Sequence, residues 1–281
     1  MDTDLTIKDI TKGFIALVTR FESPNDLAVE LLQHEQVSCP VYHHFYPGIY
    51  MREVFFPKGS FAIGHKQKLP QLNLFLKGRL IMFNTDGTTA EIKAPMVFMG
   101  EAGQKMGYAV EDVSWINVYP TTETDVEKLE EMYLEKVPGF AEKTFDRWED
   151  RNDYQEFLKQ AGLTDEVIRA ETEITTNIIP FPAGTYAVMV ADSDINGKGL
   201  FATANFKPGD VIAPARLEMM RTPAGRYTNH ALNPNAEFQL FGDNVYLVAK
   251  REIAGMRGGY HGEEITVDYR EVLRNLHKQE I

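Results

Sequence analysis

The sequence is poor in cysteine: Cys39 is the single one in 281 residues. One thiol can form no intramolecular disulfide and builds no cysteine-based zinc centre, so stability has to come from packed cores. Long apolar runs are also missing. None approaches the roughly 20 residues that span a bilayer, so no membrane partner is expected. Basic residues are in the minority, 29 Lys and Arg against 41 Asp and Glu, for a net charge of −12. Such a field repels phosphate backbones and argues against nucleic acid as a partner, whereas a basic, lysine-rich protein segment would be attracted. The first ten residues, MDTDLTIKDI, are acidic and lack an apolar signal core. Repeats and low-complexity tracts are absent. The expectation is a soluble, intracellular, cytoplasmic protein of about two domains.

What is present divides into three stretches. Ile7, Ile10, Phe14, Leu17 and Val18 fall at helical spacing behind Asp4, a candidate cap. Ser23-Pro24-Asn25 breaks the pattern before a second short helix carrying Leu27, Val29, Leu31 and Leu32. From 39 to 120, short runs of Val, Ile, Phe and Tyr alternate with turn signals such as Pro47-Gly48 and Asp86-Gly87, the texture of an antiparallel sandwich or barrel. Residues 122–136 read as a helix with an acidic first turn and Lys136 near its end. A second helix covers "RWEDRNDYQEFLKQAG", and a third, near 165–174, starts at a Thr164 cap. The charge runs of this connector read as solvated faces. Strands resume after "IIPFPAG". The expected division is 1–121, 122–177 and 178–281, in a mainly β protein.

The third stretch carries unusual runs. "GRYTNHALNPN" (225–235) is too polar for core and too rich in turn-formers for a regular element. It lies between "DINGKGLFATANFKPGDVIAP" (194–214) and "GEEITVDYR" (262–270). In this order the runs resemble the SET domain of protein lysine methyltransferases: Gly197-Lys198-Gly199, Pro208-Gly209-Asp210, Arg226 through Asn235, and Glu264 through Tyr269. The residues suit that chemistry. Methyl transfer holds a sulfonium in line with a deprotonated amine. Glycines at 197 and 199 permit close backbone approach, and Asn229 and His230 offer donors and acceptors for a nucleoside. The resemblance implies S-adenosylmethionine as cofactor, held by Gly197, Lys198, Gly199, Leu200, Arg226, Asn229 and His230. It implies Tyr269 as the catalytic tyrosine that places and deprotonates the lysine amine, Tyr227 as a catalytic wall of the lysine channel, and a knot-like loop at 231–235. Departures exist. The insert between the two halves is nearly absent, Ala231 replaces a common Ser, and no cysteine-rich zinc cluster follows. A trimmed insert leaves one channel wall to the amino-terminal block or to a second subunit, so a homo-oligomer is an expectation.

The first stretch resembles a cupin, a small β-barrel. The frame of the cupin metal motif falls on His65, Gln67, Gln71 and Gly78, with the later histidine position near Met106. Amide and thioether groups are poor ligands for a divalent metal, so no metal is expected, although His43 and His44 lie near. Segments 39–64 and 109–131 also look like cupin-type proteins of tailed bacteriophages, a setting that implies the host cytoplasm or the virion. The expected architecture is therefore an N-terminal cupin-like β-barrel, a helical connector and a C-terminal SET-type β fold. The expected function is S-adenosylmethionine-dependent methyl transfer to a protein lysine. The rival reading is a non-enzymatic phage structural or interaction protein that uses both folds as scaffold, and between them stands a sensor that binds the nucleoside without transferring a methyl.

Overall fold

The computed structural model describes residues 7–84, 86–139 and 147–272, and Asp4 lies outside them. Turn chemistry sets the first block. Strands β1 (Val41–Tyr46) and β2 (Ile49–Phe56) form a hairpin about Pro47-Gly48, where Gly48 takes φ 77°, a conformation open to glycine at little cost. Beyond them run β3 (Phe61–Ile63), β4 (Lys66–Gln67), β5 (Gln71–Lys77), β6 (Arg79–Phe83), β7 (Thr89–Lys93), β8 (Met96–Gly100), β9 (Met106–Ala109) and β10 (Val113–Pro120). Strands β3-β9-β6-β7 make one antiparallel sheet, and β1-β2-β10-β5-β8 make most of another. Phe75 and Trp115 of the larger sheet pack on Leu80 and Ala109 of the smaller. Helix α1 (Ile7–Val18) covers the smaller sheet, with Phe14 stacked on Phe61 at 4.2 Å. Helix α2 (Pro24–Leu31), capped by Ser23, adds Leu27 to that contact, while Val29 is exposed.

Alternation along the larger sheet sends an unusual row inward. His43, Arg52, Asn117 and Asn73 are cross-strand neighbours on β1, β2, β10 and β5. Asn73 Oδ1 accepts from Trp115 Nε1 at 2.9 Å and from Asn117 Nδ2 at 2.7 Å. His43 Nδ1 shares a 2.7 Å hydrogen bond with the Tyr50 hydroxyl. A polar row inside an apolar barrel is costly unless its members find partners.

The connector is less of a linker than its charge suggests. Helix α3 (Val126–Tyr133) is capped by Asp125 and buries Val126, Leu129 and Tyr133. It ends earlier than the helix expected over 122–136. Leu134 and Glu135 form β11 (Leu134–Glu135), an antiparallel pair with β4. Burial of Leu134 and the backbone of Gln67 override local helix propensity there. Helix α4 (Trp148–Ala161) closes at Gly162, φ 66°, as a C-cap requires. Helix α5 (Asp165–Glu173) starts at Thr164, whose hydroxyl accepts from the Val167 amide at 3.4 Å. Helix α5 buries no side chain and fits the solvated-face reading; α4 buries Tyr154, Phe157 and Leu158 and does not.

The remaining chain forms β12 (Gly184–Tyr186), β13 (Val188–Asp192), β14 (Lys198–Ala202), β15 (Val211–Leu217), β16 (Met220–Arg221), α6 (Pro223–Arg226), β17 (Asn229–His230), β18 (Ala236–Phe241), β19 (Asn244–Ala249) and β20 (Glu264–Val267). Strand β12 pairs with β1 and completes the larger barrel sheet. Two further four-stranded sheets run in the orders β13-β14-β20-β17 and β16-β15-β19-β18. The β17–β20 pair is parallel. One apolar cluster joins Val41, Phe45 and Tyr50 of the barrel to Val126 and Leu129 of α3 and to Val188, Leu200, Leu247 and Ile265. The described residues thus form a mainly β protein, with twenty strands and six helices. None of these helices is long and apolar enough to cross a membrane.

Candidate functional site

The short strand β17 brings Asn229 under the turn that precedes β14. Its Nδ2 lies 3.0 Å from Ser193 Oγ, 3.1 Å from both the Asn196 and Lys198 carbonyls, and 2.9 Å from Glu264 Oε1. Two N–H groups shared among four acceptors tie two chain segments, the 193–198 turn and β20, to one side chain. Ser193 Oγ in turn donates to Glu264 Oε1 at 2.7 Å. Gly197 adopts φ 54° to close this turn, and no atom lies within 4 Å of where a Cβ would stand. Gly199 differs. A Cβ there would collide with the Glu264 carboxylate and meet Ser193 Cβ at 3.0 Å. The space left by Gly199 is filled from within, while that beside Gly197 is open. Burial raises the Glu264 carboxyl, against the pull of the Asn229 and Ser193 hydrogen bonds. Lys198 points elsewhere, to Asp192 Oδ1 at 2.9 Å and Glu127 Oε1 at 2.6 Å, and both hydrogen bonds raise its pKa. Leu200 is fully buried core opposite Ile265.

Beside this hub, His230 is enclosed by α4. Its Nδ1 accepts from the Tyr269 amide at 3.1 Å, so Nε2 carries the proton of the neutral ring and donates to Asp153 Oδ2 at 2.8 Å. Arg270 grips the same carboxylate twice, at 2.8 and 3.0 Å, and its hydrogen bonds hold Asp153 below the usual carboxylate range. The Tyr269 hydroxyl donates to the Thr228 carbonyl at 2.9 Å. Its ring sits between Phe157 at 5.6 Å and Tyr154 at 6.3 Å, and burial pushes the phenol pKa well above the usual value. Helix α4 also reaches the neighbouring loops: Asp150 accepts from the Leu232 amide at 3.0 Å, and Arg151 donates to the Asp194 carbonyl at 2.6 Å. Asn235 bonds β20 on both sides, donating to the Glu264 carbonyl and accepting from the Thr266 amide, each at 2.8 Å.

Of the residues expected at the site, Gly197, Gly199, the Lys198 backbone, Asn229, His230 and Tyr269 are brought together. Arg226 and Tyr227 form a pair of their own at the end of α6, the guanidinium 4.9 Å from the ring centre. The lysine head of Lys198 and the side chain of Leu200 serve other contacts. Reasoning from sequence missed Ser193, Asp153 and Arg270. Arg270, adjacent to Tyr269, was readable as a charge placed beside a motif. Asp153 sits one residue before Tyr154 on a helix whose Tyr154, Phe157 and Leu158 share a face, a helical spacing that the surrounding charge obscures.

The barrel interior forms a cavity of about 220 Å³. His65, Gln67, Gln71 and Met106, the positions of the cupin metal frame, all line it, with Arg52 and Asn117 among the other polar walls. Gln67 Oε1 accepts from the Tyr119 hydroxyl at 2.9 Å, and His65 Nδ1 accepts from the Val137 amide at 3.3 Å. Burial first, then the Arg52 charge, lowers the His65 pKa to about 4. Among the described residues, no group of three or more His, Cys, Asp or Glu side chains could hold a metal ion. His43 and His44 alternate across β1. The first is buried on Tyr50; the second bonds Glu53 at 3.0 Å and Thr185 at 2.9 Å. They cannot share one ion.

No protein-family model and no curated protein matches the chain. Solved structures do match part of it. A cupin domain from Bordetella pertussis is 10% identical and covers 31% of this chain and 98% of its own, with a TM-score of 0.27. An acetylacetone dioxygenase from Acinetobacter johnsonii is 14% identical over 31% of this chain and 63% of its own, with a TM-score of 0.26. KdgF from Halomonas sp. is 14% identical over 31% of this chain and 86% of its own, with a TM-score of 0.25. TM-scores this low support no inference beyond the likeness itself.

Proposed function

We propose that the C-terminal block is a SET-type fold that binds S-adenosylmethionine and transfers its methyl group to a protein lysine. The observation that carries this reading is the Asn229 hub, which collects the 193–198 turn and β20 beside His230 and Tyr269. Part of the hub fits a cationic nucleoside. Among the described residues Asn229 Oδ1 receives no donor, and the adjacent Gly197 turn is open. The bound cofactor would supply an electrophilic methyl on sulfur. Asn229 Oδ1 would accept from its ammonium group, and the bonds of Asn235 to β20 would hold the 231–235 loop that the family resemblance reads as knot-like. Tyr269, with its phenol pKa raised by burial, keeps its proton at neutral pH. It would orient the lysine amine as a hydrogen-bonding partner, leaving deprotonation to solvent.

Calorimetry with the cofactor and with its demethylated product tests binding, and Asn229→Ala should abolish it. Transfer of labelled methyl to a host-cell lysate tests catalysis: Tyr269→Phe should bind the cofactor yet transfer nothing. Absence of binding by the wild-type protein sinks the reading.

The enclosure of Tyr269 and His230 by α4 favours a second reading, a non-enzymatic structural or interaction protein of the kind tailed phages encode. On that reading the SET-type block is scaffold, and a well-folded protein would bind neither compound.

A further inference from the structure

Arg52 carries a charge that the rest of the barrel does not explain. It lines the barrel cavity, its Nε is buried without a hydrogen-bond partner, and no carboxylate among the described residues lies within ion-pair distance of it. The nearest candidate, Glu130, is taken by Lys136 at 2.8 Å. Burial would raise the Glu130 carboxyl, but Lys136 and Arg52 hold it below the usual range, so its charge is already committed. A guanidinium whose nearest carboxylate lies beyond ion-pair distance and is already shared with Lys136 keeps part of its hydrogen-bonding capacity unmet. Strand β5, two strands from β2 in the same sheet, supplies a second gap. Gln71 is 5% exposed, lines the same cavity, and its Oε1 has no donor. Much of the remaining wall is apolar, including Val54, Phe56, Leu80 and Trp115, although His65, Gln67, Lys105 and Asn117 also line it. The walls are not all barrel: Leu31 and Leu32 near the end of α2, and Met256 from the C-terminal block, close the chamber.

Shape and chemistry limit what fits. Anion recognition by Arg52 calls for a carboxylate, the planar partner of a guanidinium. The unfilled acceptor on Gln71 calls for a hydroxyl or amino donor. Apolar walls call for a hydrocarbon body. A cavity of about 150 Å³ holds benzene, so 220 Å³ has room for a ring or a branched chain with one carboxylate.

We propose that the barrel cavity binds a small apolar monocarboxylic acid, its carboxylate on Arg52 and a hydroxyl or amino group on Gln71. No metal takes part, and the site is independent of the methyl-transfer reading.

The test is a thermal-shift and calorimetric panel on the full chain: 4-hydroxyphenylacetate, phenylacetate, 4-methylpentanoate and hexanoate, each against its neutral amide. At least one acid should raise the melting temperature while its amide does not. Arg52→Met should weaken that acid about 30-fold, the usual scale of a charge-assisted contact. Gln71→Leu should weaken 4-hydroxyphenylacetate about 5-fold and leave phenylacetate unchanged. If Arg52→Met fails to fold, Arg52→Lys, which keeps the charge and loses the planar fork, should retain weakened binding of the acid. The proposal is overturned if no acid in the panel binds the wild-type protein, or if acid and amide bind equally.

Discussion

The two polar interiors of this protein are built on opposite plans. Around Asn229 most polar groups pair with one another: Glu264 accepts from Asn229 and Ser193, Asp153 accepts from Arg270 and His230, and Tyr269 donates to Thr228, with Asn229 Oδ1 left open among the described residues. In the barrel, Arg52 and Gln71 line a preformed cavity, and the buried Arg52 Nε and Gln71 Oε1 have their hydrogen bonds unmade. A closed network rigidifies a fold and must loosen locally before it admits a ligand; an open one keeps the cost of unmade bonds until a ligand arrives. On the two proposals, the barrel would bind without rearrangement, whereas the C-terminal site would have to shift α4 to act.

The comparison can be broken or sharpened by four measurements. The largest effect should come from acid. Burial, as the largest cause, lowers the pKa of His43 to about 3 and those of His65 and His261 to about 4. Unfolded histidine titrates near 6.5, so between those limits unfolding takes up three protons. Stability from these groups is complete above the unfolded pKa and is lost as pH falls through that window, by roughly 4 kcal/mol per pH unit near pH 5. Urea midpoints at pH 7, 6 and 5 measure this, and a flat profile would show that these three histidines are not buried neutral. Next, Leu200→Ala should cost about 3 kcal/mol and destabilise both blocks in one transition, since Leu200 shares a core cluster with Val41 and Phe45. Trp115 fluorescence in a Trp148→Phe background would then follow the circular dichroism. A Trp115 signal left unchanged would mean that the blocks unfold separately. Third, Asn229→Ala should cost about 2 kcal/mol by leaving buried acceptors unmade, read as a lower chemical-denaturation midpoint. Smallest, Glu264→Gln should raise the urea midpoint slightly at pH 7, because burial raises the carboxyl pKa and charging it opposes folding. The gain should close as pH falls through the folded pKa and the wild-type side chain takes up its own proton. A gap that persists at low pH would mean that Glu264 is not desolvated.

Much of the local structure was legible. Gly48 and Gly162 sit where left-handed backbone is required, and Thr164 caps the helix it was expected to cap. What sequence could not supply was pairing at a distance. Helix α3 stops at Tyr133 because Leu134 meets β4, more than sixty residues earlier in the chain. The roles of α4 were hidden by its charge, since Asp153 counts as a surface acid until Arg270 and His230 are placed beside it. Arg52 was readable in principle: within "IYMREVFF" it keeps step with Tyr50, Val54 and Phe56, so alternation aims it inward. The motif order leads to the expectation that Gly197, Gly199, Asn229, His230 and Tyr269 lie together, whereas the part of Glu264 in that region was not foreseen. The filling of the Gly199 space by Glu264 depends on side-chain volume across two strands, and no spacing reports it.

The place of β12 in the barrel sheet bears on how the chain matures during synthesis. When residue 121 leaves the ribosome, nine strands of the two barrel sheets have been made, but the tenth, at 184–186, has not. Until it emerges, the free side of β1 is an open backbone edge able to recruit a neighbouring nascent chain. A fragment ending at the apparent boundary would keep that edge for good, and it should aggregate where the full-length polypeptide stays dispersed.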